Sequence, residues 1–75
     1  MKSEILSKFG MALRQARTKK GLSQEALAEA TNLDRTYISL LETGKRNPSL
    51  ICITIICAAL DKKLSSLMHD VEDIK

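Results

Sequence analysis

An all-α fold of five short helices is what this sequence predicts, on three observations. Aromatic residues make up only 3% of a chain that is 44% hydrophobic, so aliphatic side chains must form the core. Those aliphatics mostly recur at three- and four-residue steps, with little alternation. Between the periodic stretches stand start and stop residues in helix order: Ser23, Asp34 and Ser49 before the second, third and fourth runs, and Gly21, Asn32 and Gly44 after the first three. Seventy-five residues have room for one hydrophobic core, so residues 1–75 read as a single domain. A core of that size is marginally stable alone, and subunit association is an expected further support.

The first helix spans about Ser3 to Lys20, with Ile5, Leu6, Phe9, Leu13 and Ala16 as its inner stripe. Basic residues crowd its last turn, where they complement the macrodipole, and Gly21 stops it. Ser23 caps a second helix, Gln24 to Ala30, which turns Leu27 and Ala28 inward. Thr31-Asn32-Leu33 is a turn in which Asn32 tolerates a left-handed backbone and Leu33 anchors the corner. Asp34 caps a third helix, which runs through Glu42 with Ile38 and Leu41 facing the core and Tyr37 at the margin, and Thr43-Gly44 ends it. Pro48 forbids helix through the basic loop Lys45-Arg46-Asn47, and Ser49 caps a fourth helix, Leu50 to Leu60. That segment is rich in β-branched residues and would suit a strand by propensity. Its length, its lack of alternation and the absence of a partner strand favour a buried helix. A last short helix is expected to start at Ser65 or Ser66 and to carry Leu67, Met68 and Val71.

Composition narrows the function. The formal charge of +3 is modest, but it is unevenly placed: Arg14 to Lys20 and Lys45-Arg46 are basic, whereas the last six residues hold three acids. One face therefore carries a positive potential. Cys52 and Cys57 point more than a right angle apart on a helix, so they are expected as buried thiols in a reducing compartment rather than as a disulfide. No metal site is expected, and Met11 and Met68 read as packing filler, Met1 as the start residue. One histidine, His69, and no Gly-rich phosphate loop leave no catalytic constellation, so no enzyme and no cofactor are expected. The N-terminus lacks a signal-peptide core and no apolar run reaches the roughly 20 residues of a membrane span, which points to a cytoplasmic protein.

Two short helices joined by a tight turn, the second with one apolar and one polar face, form a helix-turn-helix between Leu22 and Glu42. An α-helix fits the major groove, where base edges present a sequence-dependent pattern of donors and acceptors. Arg35, Thr36 and Ser39 project opposite Ile38 and Leu41 and are the candidate base readers. Arg35 could grip a guanine with two hydrogen bonds, and the Thr36 methyl could meet a thymine methyl.

Leu22-Ser23-Gln24-Glu25-Ala26-Leu27-Ala28, Leu33-Asp34-Arg35-Thr36-Tyr37-Ile38-Ser39 and Glu42-Thr43-Gly44-Lys45-Arg46-Asn47-Pro48-Ser49 resemble the Xre/Cro/phage-repressor family of helix-turn-helix proteins. The resemblance runs from roughly Leu13 to Leu67. The Arg-Thr-Tyr-Ile-Ser stretch, the Lys-Arg-Asn loop and the small size are similar to the controller proteins of restriction-modification systems. It implies a five-helix lambda-repressor-like domain, a transcriptional regulator of double-stranded DNA, associated with the nucleoid through it, that both activates and represses its operon. RNA polymerase is then a candidate partner. It also implies DNA-backbone or minor-groove roles for Arg17, Ser23, Gln24, Tyr37, Lys45, Arg46 and Asn47. Several readings stay open beside it. Tyr37 could be a core-edge aromatic, Gln24 a solvated first-turn residue, and Ser39 an exposed residue without a base contact. Glu25 could orient Arg35 or complement its own helix N-terminus. Leu40 stands where many relatives have a polar residue, and it favours a rival reading as an antitoxin or anti-repressor that has lost DNA binding. A stand-alone repressor of the same family is the nearer alternative.

The fourth helix carries more apolar surface than one core can use. Leu50, Ile53, Cys57 and Leu60 make one buried stripe at helical spacing. Ile51, Ile55, Ile56 and Ala58, with Leu67 of the last helix, then remain for a homodimer interface built from residues 49–72. A two-fold dimer would span two half-sites about one DNA turn apart, roughly 34 Å.

Overall fold

A computed structural model describes residues 3–75; the reading of Met1 lies outside them. The elements are α1 (Glu4–Lys19), α2 (Gln24–Thr31), α3 (Arg35–Glu42), α4 (Leu50–Ala59) and α5 (Leu64–Asp73), with no strand among the described residues. None of these helices is long and apolar enough to cross a membrane.

Four helices start on a side-chain cap. Ser3, Ser23 and Ser49 accept from Leu6, Ala26 and Cys52 backbone N–H groups, and Asp34 accepts from that of Thr36. The fifth begins earlier than expected: Lys63 is its N-cap without a side-chain bond, and the Leu67 N–H bonds to the Lys63 carbonyl. Ser65 and Ser66 therefore lie inside the first turn and cap nothing. The first four helices end alike, in a reversed turn whose two N–H groups satisfy the last carbonyls. The left-handed residue in each is Gly21, Asn32, Gly44 or Asp61.

The side chains of Leu13, Leu27, Ile38, Leu41, Ile56, Leu67 and Val71 are fully buried and draw on all five helices. α1 packs on α3 and α5, α2 on α3 and α4, and α4 on α5. Gly10 permits the first of these approaches. A Cβ there would lie 2.5 Å from the Leu41 carbonyl oxygen and 2.6 Å from that of Glu42, so α1 rests directly on the backbone at the end of α3.

α4 is helical despite its β-branched residues, but it is rotated from its expected phase. Cys52, Ile56, Cys57 and Leu60 are buried, with Ile53 packed against them, while Leu50 is 67% exposed. Leu50 therefore leaves the expected buried stripe, and Ile56 leaves the expected dimer face for the core. Leu67 makes the same move, because α5 turns Leu67 and Val71 under α1 and α4. Ile5, expected on the inner stripe of α1, is 57% exposed, one turn before that helix reaches the core at Phe9.

Candidate nucleic-acid interface

α3 is short and two-faced because its apolar residues fall three apart. Ile38 and Leu41 are fully buried, which turns Arg35 and Thr36 outward at its first turn, both exposed, with Ser39 half-buried beside them. The Asp34 cap fixes where this polar face begins. Arg35 Nε lies 3.9 Å from Glu25 Oε1, and both side chains are largely exposed. A pair this long and this wet orients weakly, and Glu25 also stands in the first turn of α2, where its charge suits the macrodipole.

Tyr37 is half-buried and packs against the core. Burial pushes its hydroxyl above the ordinary value of 10.0; the neighbouring Cys52 thiol adds to that, and Arg46 opposes it. The Arg46 guanidinium sits 5.5 Å from the Tyr37 ring centroid, a cation–π distance that ties the basic loop to α3. Lys45, Arg46 and Asn47 are all exposed there. Ser23 is exposed with its hydroxyl engaged as the α2 cap, and Gln24 follows it half-buried.

Arg17 is not a free surface cation. Its Nε and Nη2 donate to the two Glu42 carboxylate oxygens, and its Nη1 donates to the Leu22 carbonyl at 2.7 Å. Its side chain is 10% exposed and that of Glu42 only 3%. Its expected place at the DNA backbone is thus corrected: position 17 continues the Phe9–Leu13 stripe into the core, where an arginine must find an anion. Glu42, which sequence reading had only as the end of α3, is that anion. It also accepts from Gln24 Nε2 at 3.0 Å, so one carboxylate joins the end of α1, the start of α2 and the end of α3. The signal was available, since Glu42 lies four residues after Ile38 on the same buried stripe.

Leu40 is half-buried, and its carbonyl accepts from Lys45 N–H while that of Leu41 accepts from Gly44 N–H.

The model of the family described as "Helix-turn-helix" matches residues 13–67. The chain is 45% identical to control protein C.MunI of a Mycoplasma species, over 93% of this chain and 96% of the relative. It is 44% identical to control protein C.BamHI of Bacillus amyloliquefaciens, over 91% and 85%. The crystal structure of the restriction-modification controller protein C.AhdI from Aeromonas hydrophila superimposes with a TM-score of 0.81 at 50% identity, covering 83% of this chain and 94% of that one. With the α2–turn–α3 geometry and its exposed polar face, these likenesses lead to one conclusion: the chain belongs to the helix-turn-helix family.

Proposed function

We propose that the protein is the controller of a restriction-modification operon, a transcriptional regulator that binds double-stranded DNA in a sequence-specific manner as a homodimer. The observation that carries this reading is the outward face at the start of α3, Arg35 and Thr36, flanked by the capped start of α2 and by the Lys45-Arg46-Asn47 loop. The near-full-length likeness to control proteins supports the controller role. In the proposed complex α3 enters the major groove and Arg35 and Thr36 meet base edges, with Ser39 alongside. The start of α2, at Ser23 and Gln24, takes a backbone phosphate, as helix N-termini do. Lys45, Arg46 and Asn47 hold the backbone or the neighbouring minor groove, and Tyr37 supports Arg46 from beneath. Phosphate contacts set the register and the α3 face supplies discrimination. Activation in addition to repression would bring RNA polymerase in as a partner.

Fluorescence anisotropy with duplexes enriched by in-vitro selection, beside random duplexes, tests the reading. Tight binding to the enriched set, weakening steeply with salt, is the expected result. A chain that binds no duplex at any salt concentration is an interaction module instead. Neighbouring genes for a methyltransferase and an endonuclease separate a controller from a stand-alone repressor.

A further inference from the structure

Among the described residues, the Arg17–Glu42 pair is the ion pair with both side chains almost wholly buried. Apolar residues of similar volume often serve packing as well as a buried pair does, so the pair invites a second role. Gln24 supplies it. A carboxylate has only acceptors, so the Gln24 carboxamide must turn its NH2 group toward Glu42. One N–H goes to Oε1 at 3.0 Å. The other belongs to the same planar group and finds no acceptor among the described residues. It sits at the first residue of α2, beside the Ser23 cap, on a side chain that is only half-buried and so within reach of solvent.

We infer that Glu42, clamped by Arg17, is a positioning residue for DNA docking: it holds the Gln24 carboxamide so that its free N–H meets a backbone phosphate oxygen. The inference rests on the DNA-binding reading above. Arg17 has two parts in it. It fixes the carboxylate through a two-point fork, and it neutralises a charge that would otherwise repel the phosphate. The rotameric freedom of Gln24 is removed before DNA arrives, so less is lost on binding.

Gln15 and Gln24 are the only glutamines of the chain, so their side-chain amides are separable in 15N spectra of the full protein. In the free protein the Gln24 amide should be ordered and that of exposed Gln15 mobile. Adding a duplex selected with the wild-type chain should move one Gln24 amide proton strongly and its geminal partner little. A Gln24 amide as mobile as that of Gln15, or unmoved by DNA, overturns the inference. On that duplex Gln24→Ala should weaken binding about tenfold, the size of one hydrogen bond to a charged group. In a folded R17M/E42L background the same substitution should have less than a twofold effect, and the Gln24 amide should become mobile. An undiminished tenfold loss in that background also overturns it. If R17M/E42L does not fold, the wild-type spectra decide alone. A wild-type chain that binds no duplex sinks the DNA reading, whatever the order of the free Gln24 amide.

Discussion

Phe9, Leu13 and Arg17 follow one another at four-residue steps along α1, and Ile38 and Glu42 do so along α3. A charge in phase with an apolar stripe must enter the core, and two such charges of opposite sign on neighbouring helices must meet. That much was legible in the sequence. Arg17 also lies among Arg14, Lys19 and Lys20, and that basic neighbourhood masks its phase. The exposed residues separate by role more readily. Arg35→Ala should cost about 1–3 kcal/mol against a selected duplex and flatten its preference over random DNA. Arg46→Ala should weaken all duplexes alike, because phosphate contacts carry no sequence information. Paired anisotropy titrations on both duplexes check this, and an equal loss on every sequence for Arg35→Ala would reduce it to a backbone grip. Cys57 allows a pH prediction. Burial pushes its thiol above the ordinary value of 9.0, with Lys62 opposing. The folded state then holds this proton more tightly than the unfolded one, so the contribution is intact below pH 9.0 and is lost as pH rises past it. Urea denaturation across that range should show falling stability, and Cys57→Ala should lower the plateau yet shallow the fall.

At the scale of the element, starts and stops were the most legible features, because they are written in single residues with local hydrogen bonds. Ser23, Asp34 and Ser49 cap where expected, and Asn32 and Gly44 adopt the left-handed backbone that ends α2 and α3. Asp61 takes the same conformation at φ 51° without glycine's freedom. Asp61→Gly should therefore raise stability by about 0.5–1 kcal/mol, read from the urea midpoint. Gly10 illustrates a feature sequence reading cannot reach. In an open helix, Gly→Ala gains about 1 kcal/mol. Here the added methyl would strike the Leu41 and Glu42 carbonyls, and backbone cannot swing aside as a side chain can. Gly10→Ala is expected to lose about 1–3 kcal/mol net and to displace the end of α3. A rise in the melting temperature would show that α1 can slide without penalty. Nothing local to residue 10 announces this, since the obstacle, at residues 41 and 42, lies far away along the chain.

At the scale of the whole molecule, five helices around one aliphatic core followed from periodicity, but the choice between core and outer face on α4 did not. Almost every position of that helix is apolar, so no polar marker fixes its rotation, and packing against α2 and α5 decides it. The result sends Ile56 inward and leaves Leu50 67%, Ile51 73% and Ile55 41% exposed, with Ala58 exposed on the following turn. An aliphatic strip of this kind is costly to leave wet in so small a protein. Residues 51, 55 and 58 step along one line of the helix, the spacing by which one helix meets another. The proposed two-fold dimer places this strip against its own copy, so that substitution at one position acts twice. Ile51→Glu together with Ile55→Glu should then leave the helical content and the core intact, because neither side chain belongs to the buried cluster. The variant should sediment as a monomer where the wild type is a dimer at tens of micromolar. It should bind a single half-site with unchanged preference but lose the gain from a second half-site about one turn, roughly 34 Å, away. A wild-type chain that sediments as a monomer under those conditions would refute the α4 interface, and a double-Glu variant that stays dimeric would move it to another face.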